Sequence, residues 1–97
     1  METKKILVIG RHAHMLQNVM NLLNNNGYMA YGETDNQKAI ATFKTAGVHA
    51  VIIGGGVDDA SRRYFEETFR QLQPGVKIIY AHPHSVLMDV QQAFLNS

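Results

Sequence analysis

Four short, mostly apolar runs alternate along the chain with four longer stretches whose apolar residues recur every three or four positions. The run at 48–53 (Val-His-Ala-Val-Ile-Ile) is rich in β-branched residues and closes on Gly54, Gly55 and Gly56. Such a run reads as a strand buried on both faces of a parallel sheet. Residues 4–10 (Lys-Lys-Ile-Leu-Val-Ile-Gly) and 76–81 (Val-Lys-Ile-Ile-Tyr-Ala) read the same way. Residues 28–31 (Tyr-Met-Ala-Tyr) are more mixed and predict a strand nearer the sheet edge.

Between the strands the period changes. Leu16, Val19, Met20 and Leu23 share one helical face, with Gln17, Asn18 and Asn21 opposite. Gly27 then suits the left-handed position that closes a helix. Thr34 with Gln37 predicts a capping box for a helix carrying Ala39, Ile40 and Phe43, ended by Gly47. Asp58 or Asp59 caps a third helix with Tyr64, Phe65, Phe69 and Leu72, stopped by Pro74-Gly75. The turn His82-Pro83-His84-Ser85 opens a last helix with Val86, Leu87, Val90, Ala93 and Phe94. The order βαβαβαβα with short connections predicts one α/β domain over 1–97, a parallel sheet covered by helices on both sides.

Composition adds exclusions. At 45% hydrophobic and 18% charged, this is ordinary globular composition. A net charge of +1 gives no electrostatic footprint for nucleic acid or an anionic membrane. The chain has no cysteine, which rules out disulfides, thiolate metal sites and a Cys nucleophile. The first apolar stretch is too short for a signal peptide or a membrane span, so a cytoplasmic protein is expected.

Residues 5–9 and 49–53, together with Lys77-Ile78-Ile79-Tyr80-Ala81, resemble the strands of response-regulator receiver domains from two-component signalling, with matching element spacing from residue 4 to about 95. The resemblance implies a flavodoxin-like three-layer sandwich with a four-stranded parallel sheet in the order 2-1-3-4. It also implies where a receiver would carry its chemistry, and there this chain departs. The acidic pair that holds Mg²⁺ falls on Gly10 and Arg11, the phosphorylated Asp on Gly54, and the Thr/Ser that closes on the phosphate on His82. The family's Lys follows a fifth strand, and this chain stops before one. A guanidinium repels Mg²⁺, and glycine cannot be the nucleophile of aspartyl-phosphate chemistry. Phosphotransfer and other catalysis are therefore not expected, and no cofactor is implied.

Two further constellations sit at the strand ends. In the receiver order the pairs His12/His14 and His82/His84 flank the glycine strand about 10 Å apart, a spacing loops could narrow around a transition metal. No HExxH or Cys-containing motif supports that, and polar loop histidines on a solvated edge are the expected reading, with no metal site. Arg11, His12, Gly54, Gly55, Gly56, Asp58 and His82 form a possible ligand edge for an anion or small molecule. Arg62–Glu66 and Arg63–Glu67 have the spacing of helical ion pairs.

Without a fifth βα unit, the strand at 76–81 would be an exposed apolar edge, which proteins cover or pair. That predicts a homodimer or a protein partner, with Val76, Ile78, Tyr80, Val86, Val90 and Phe94 as the interface. Two readings follow. One is a non-phosphorylatable, receiver-like interaction module in signalling or regulation; the other is a small-ligand, anion or metal-binding module using the carboxyl edge of the sheet.

Overall fold

Every predicted strand and helix forms in the computed structural model, which describes residues 3–82 and 84–95. The strands are β1 (Lys5–Ile9), β2 (Met29–Glu33), β3 (Ala50–Ile53) and β4 (Lys77–Tyr80). The helices are α1 (Ala13–Asn25), α2 (Asn36–Ala46), α3 (Asp59–Leu72) and α4 (Val86–Leu95). All pairings are parallel and the order is β2-β1-β3-β4. Leu7 lies between Tyr31 and Val51, and Val51 pairs onward with Ile78. The central strands β1 and β3 are buried on both faces, which is why their sequences do not alternate.

Two apolar layers follow from that double burial. On one face α2 and α3 bring Phe43, Phe65 and Phe69 onto Leu7, Ile9, Val51 and Ile53. The rings of Phe43 and Phe69 stack at 4.3 Å, and those of Phe65 and Phe69 at 5.5 Å. Tyr64 and Leu72, read as part of the same stripe, point to solvent instead. On the other face Leu23 of α1 and Val86 and Val90 of α4 cover Ile6, Val8, Ile52 and Ile79.

Capping sets the helix starts. Asp58 caps α3 by accepting from the Ser61 N–H at 3.1 Å, which decides between the two aspartates. For α2 the cap is Asp35, not Thr34: its carboxylate accepts from the Lys38 N–H at 2.9 Å. Gly27 (φ 88°) and Gly47 (φ 67°) take the left-handed conformation where α1 and α2 end.

The side on which α4 packs changes the reading of the surface. The β2–α2–β3 and β3–α3–β4 units both carry the chain toward β4, with their helices on one face. A right-handed crossover to a strand outside β4 would need its helix on that same face. Helix α4 lies on the opposite face, beside α1. The expected interface is corrected accordingly. Val86 and Val90 belong to the α1–α4 core layer and Val76 to the α2–α3 layer, all three buried. Ile78 is half-buried against the α2–α3 layer. Phe94 is half-buried, stacked on Tyr28 with the Lys4 ammonium over its ring. Of the six, only Tyr80 is exposed, and its hydroxyl donates to the Glu66 carboxylate.

Candidate functional site at the carboxyl edge of the sheet

Parallel strands all end on the same edge, so the loops after β1, β2 and β3 meet there, and in open α/β sheets ligands bind at that edge where strand order reverses. Here the reversal lies between β1 and β3. Gly10 follows β1 and its N–H donates to the Glu33 carbonyl; Gly54 follows β3 and its N–H donates to the Ile9 carbonyl at 2.8 Å.

The polar centre of the edge is Arg11. Its Nη1 donates to the Thr34 carbonyl at 2.7 Å and its Nη2 to Asn36 Oδ1 at 2.6 Å. Asn36 Nδ2 donates in turn to Ser61 Oγ at 3.1 Å. The Asp58 carboxylate lies 3.9 Å from the guanidinium. One cation thus ties together the loops that follow β1, β2 and β3. Hydrogen bonds from the Ser61 side chain and backbone hold the Asp58 carboxyl below the ordinary carboxylate range, with Arg11 adding a smaller Coulombic pull. A carboxyl lowered in the folded state stabilises the fold above its ordinary pKa and loses that contribution as pH falls through the lowered value. The tie is therefore complete at neutral pH.

Gly54 leaves little room for a side chain. A Cβ there would sit 3.1 Å from the Ile9 carbonyl oxygen, a backbone atom that would have to give by a few tenths of an ångström, and in ordinary contact with Gly10 Cα at 3.5 Å. Gly54→Asp is expected to push β1 and β3 apart and destabilise the fold by about 1–3 kcal/mol. Urea denaturation would check this; an unchanged midpoint would show that the edge has space for an acceptor side chain.

Below the loops, between α1 and the start of α4, lies a cavity of about 410 Å³. Val8 and Ile52 form its floor, Leu16, Val19 and Leu22 one wall, Val86 the other, and Gly54, Gly55 and Gly56 its mouth with His12. Arg11 contributes its stem here, since the head group is held over Thr34 and Asn36.

The structure divides the predicted ligand edge. Arg11, His12 and the three glycines share the cavity mouth, whereas Asp58 and His82 do not line it. His12, His14, His82 and His84 are all exposed. Among the described residues no group of three or more His, Cys, Asp or Glu side chains is arranged to hold a metal ion. His49, at the opposite edge, is half-buried and accepts the Lys5 N–H on Nδ1 at 3.0 Å. On α3, Arg62 pairs with Asp59 and reaches the Gly55 carbonyl, and Glu66 pairs with Arg70, so Arg62–Glu66 is not the pair formed.

Solved structures share this fold. A CheY-like response-regulator receiver domain protein from Methanospirillum hungatei JF-1 matches with a TM-score of 0.72 at 19% identity, covering 98% of this chain and 75% of that one. The chemotaxis protein CheY4 of Vibrio cholerae matches with a TM-score of 0.66 at 14% identity, covering 95% and 99%. A putative pilus assembly-related protein from Burkholderia pseudomallei K96243 matches with a TM-score of 0.65 at 21% identity, covering 94% and 72%. The chain has the fold of a CheY-like receiver domain. No protein-family model and no curated protein matches the sequence. On this receiver fold, the positions that the resemblance assigns to the acidic pair and the acceptor hold Gly10, Arg11 and Gly54. Among the described residues no helix is long and apolar enough to cross a membrane.

Proposed function

We propose that this receiver-fold chain is a non-phosphorylatable, non-catalytic module that works through protein–protein contacts in signalling or regulation, in the cytoplasm. The observation that carries the reading is the Arg11 network. The edge where a receiver would gather carboxylates around Mg²⁺ is tied by a guanidinium across three loops, beside a glycine where a Cβ would crowd the Ile9 carbonyl at 3.1 Å. Loops tied in this way need no covalent signal to order them. Regulation then comes from partner binding, which shifts populations by differential affinity.

The cavity supports a second reading, a small apolar ligand held at the switch point between β1 and β3. The anion form of that reading finds less support, because the Arg11 guanidinium is turned to Thr34, Asn36 and Asp58, and that of Arg62 to Asp59 and the Gly55 carbonyl.

Intact-mass measurement after incubation with Mg²⁺ and acetyl phosphate tests the leading reading. The unmodified mass is expected. A stoichiometric phosphoryl adduct that is lost on mild alkaline treatment, as acyl phosphates are, would overturn it.

A further inference from the structure

The charges of this chain are distributed unevenly over its helices. Helix α3 carries six charged side chains in 14 residues (Asp59, Arg62, Arg63, Glu66, Glu67 and Arg70). Helix α1 carries none in 13 residues, and α4 only Asp89 in 10. Asp89 is itself engaged, accepting from the Ser85 hydroxyl at 3.1 Å. These two charge-poor helices lie side by side on one face of the sheet. Large apolar side chains stand exposed on them: Met15 at 57%, Leu22 at 40%, Met88 at 62% and Leu95 at 80%. The polar positions between are amides, among them Gln17, Asn18, Asn21 and Gln91. Depletion of charge with methionine enrichment distinguishes interface cores from the rest of a protein surface.

We infer that the α1–α4 face is the interface through which two copies of this chain associate. The inference rests on the protein-contact reading above and names its partner. Three features point to a second copy. A two-fold interface can bring each charge near charges of its own kind, so a face whose charges are few, with Asp89 held by Ser85 and Lys4 over the Phe94 ring at its end, meets itself with little repulsion. A primary amide carries both donor and acceptor groups, so a row of amides can hydrogen-bond to an identical row. Finally, a self-complementary patch must carry both projection and recess. Met88 projects from α4, and the apolar cavity lined by Met15 and Leu22 of α1 supplies a recess.

Sedimentation equilibrium of the full chain from micromolar to millimolar concentration tests the assignment. A monomer–dimer equilibrium is expected in the unaltered chain. Met88→Glu and, separately, Leu22→Glu place like carboxylates against each other and should weaken association at least about tenfold, at an unchanged circular-dichroism spectrum. Both sites are exposed in the single chain, so neither change buries a charge within the fold. Tyr64→Glu, on exposed α3, should leave the dimer intact. A monomer at every concentration, or a dimer as sensitive to Tyr64→Glu as to Met88→Glu, overturns the assignment. So does a chain that stays monomeric alone and gains mass only with a different protein. A phosphoryl adduct in the acetyl phosphate experiment would instead overturn the reading beneath it, whatever the mass in solution.

Discussion

Val90→Glu is expected to unfold the chain. Val90 is fully buried between α4 and the sheet, packed in the layer formed by Ile6, Val8, Ile52 and Ile79. Among the described residues, the buried side chains around it are all apolar. Burying a carboxylate there unpaired costs several kcal/mol, which is of the order of a domain's whole stability, about 5–15 kcal/mol. Far-UV circular dichroism in buffer should show a largely unfolded chain. A cooperative urea transition near the wild-type midpoint would contradict the placement of α4 on the α1 face. From the sequence alone, Val90 reads as a surface contact whose charge reversal would spare the fold; the structure makes it a core residue.

Phe69→Ala has the second-largest expected effect. The Phe69 ring is fully buried and stacks on both Phe43 and Phe65, so it joins α2, α3 and the sheet. Truncation removes the ring's transfer free energy and leaves a cavity that its two aromatic neighbours can only partly close. A loss of about 3–5 kcal/mol is expected from urea denaturation. A loss below about 1 kcal/mol, the scale of surface substitutions, would mean that this layer is packed differently.

These two residues show what the sequence reveals and what it conceals. Phe65 and Phe69 lie four positions apart on a helix with six charged residues, so only one stripe was apolar enough to bury. Helix α4 has seven apolar residues in ten (Val86, Leu87, Met88, Val90, Ala93, Phe94 and Leu95) and offers several stripes. Which one is buried depends on which face of the sheet α4 takes, and a local pattern does not encode that. The strands and their class were legible because a run without alternation has one common explanation, burial on both faces. The sheet order was legible through the receiver resemblance.

The site was half legible. Gly54, Gly10 and Arg11 were found because each ends or follows a recognisable strand. The Arg11–Asn36–Ser61 network was missed, since each of its side-chain bonds spans 25 residues. A signal for it did exist. Asn36 and Ser61 fall in the first turns of the helices after β2 and β3, and in the order 2-1-3-4 those turns flank the loop that carries Arg11. The cap of α2 was displaced by one residue because Thr34 and Asp35 are both good caps. The extended backbone at Asp35 (φ −104°, ψ 137°) and the bond its carboxylate accepts from the Lys38 N–H decide between them.

We propose that this receiver fold carries no phosphate-responsive site, and a ¹⁵N NMR titration with Mg²⁺ and beryllofluoride tests that proposal. Beryllofluoride mimics a phosphoryl group on a carboxylate. The amide resonances of Gly10, Arg11, Gly54, Gly55 and Gly56 are expected to stay where they are. Saturable shifts confined to those amides would contradict the proposal and show that the Arg11 network opens to admit an acceptor chemistry.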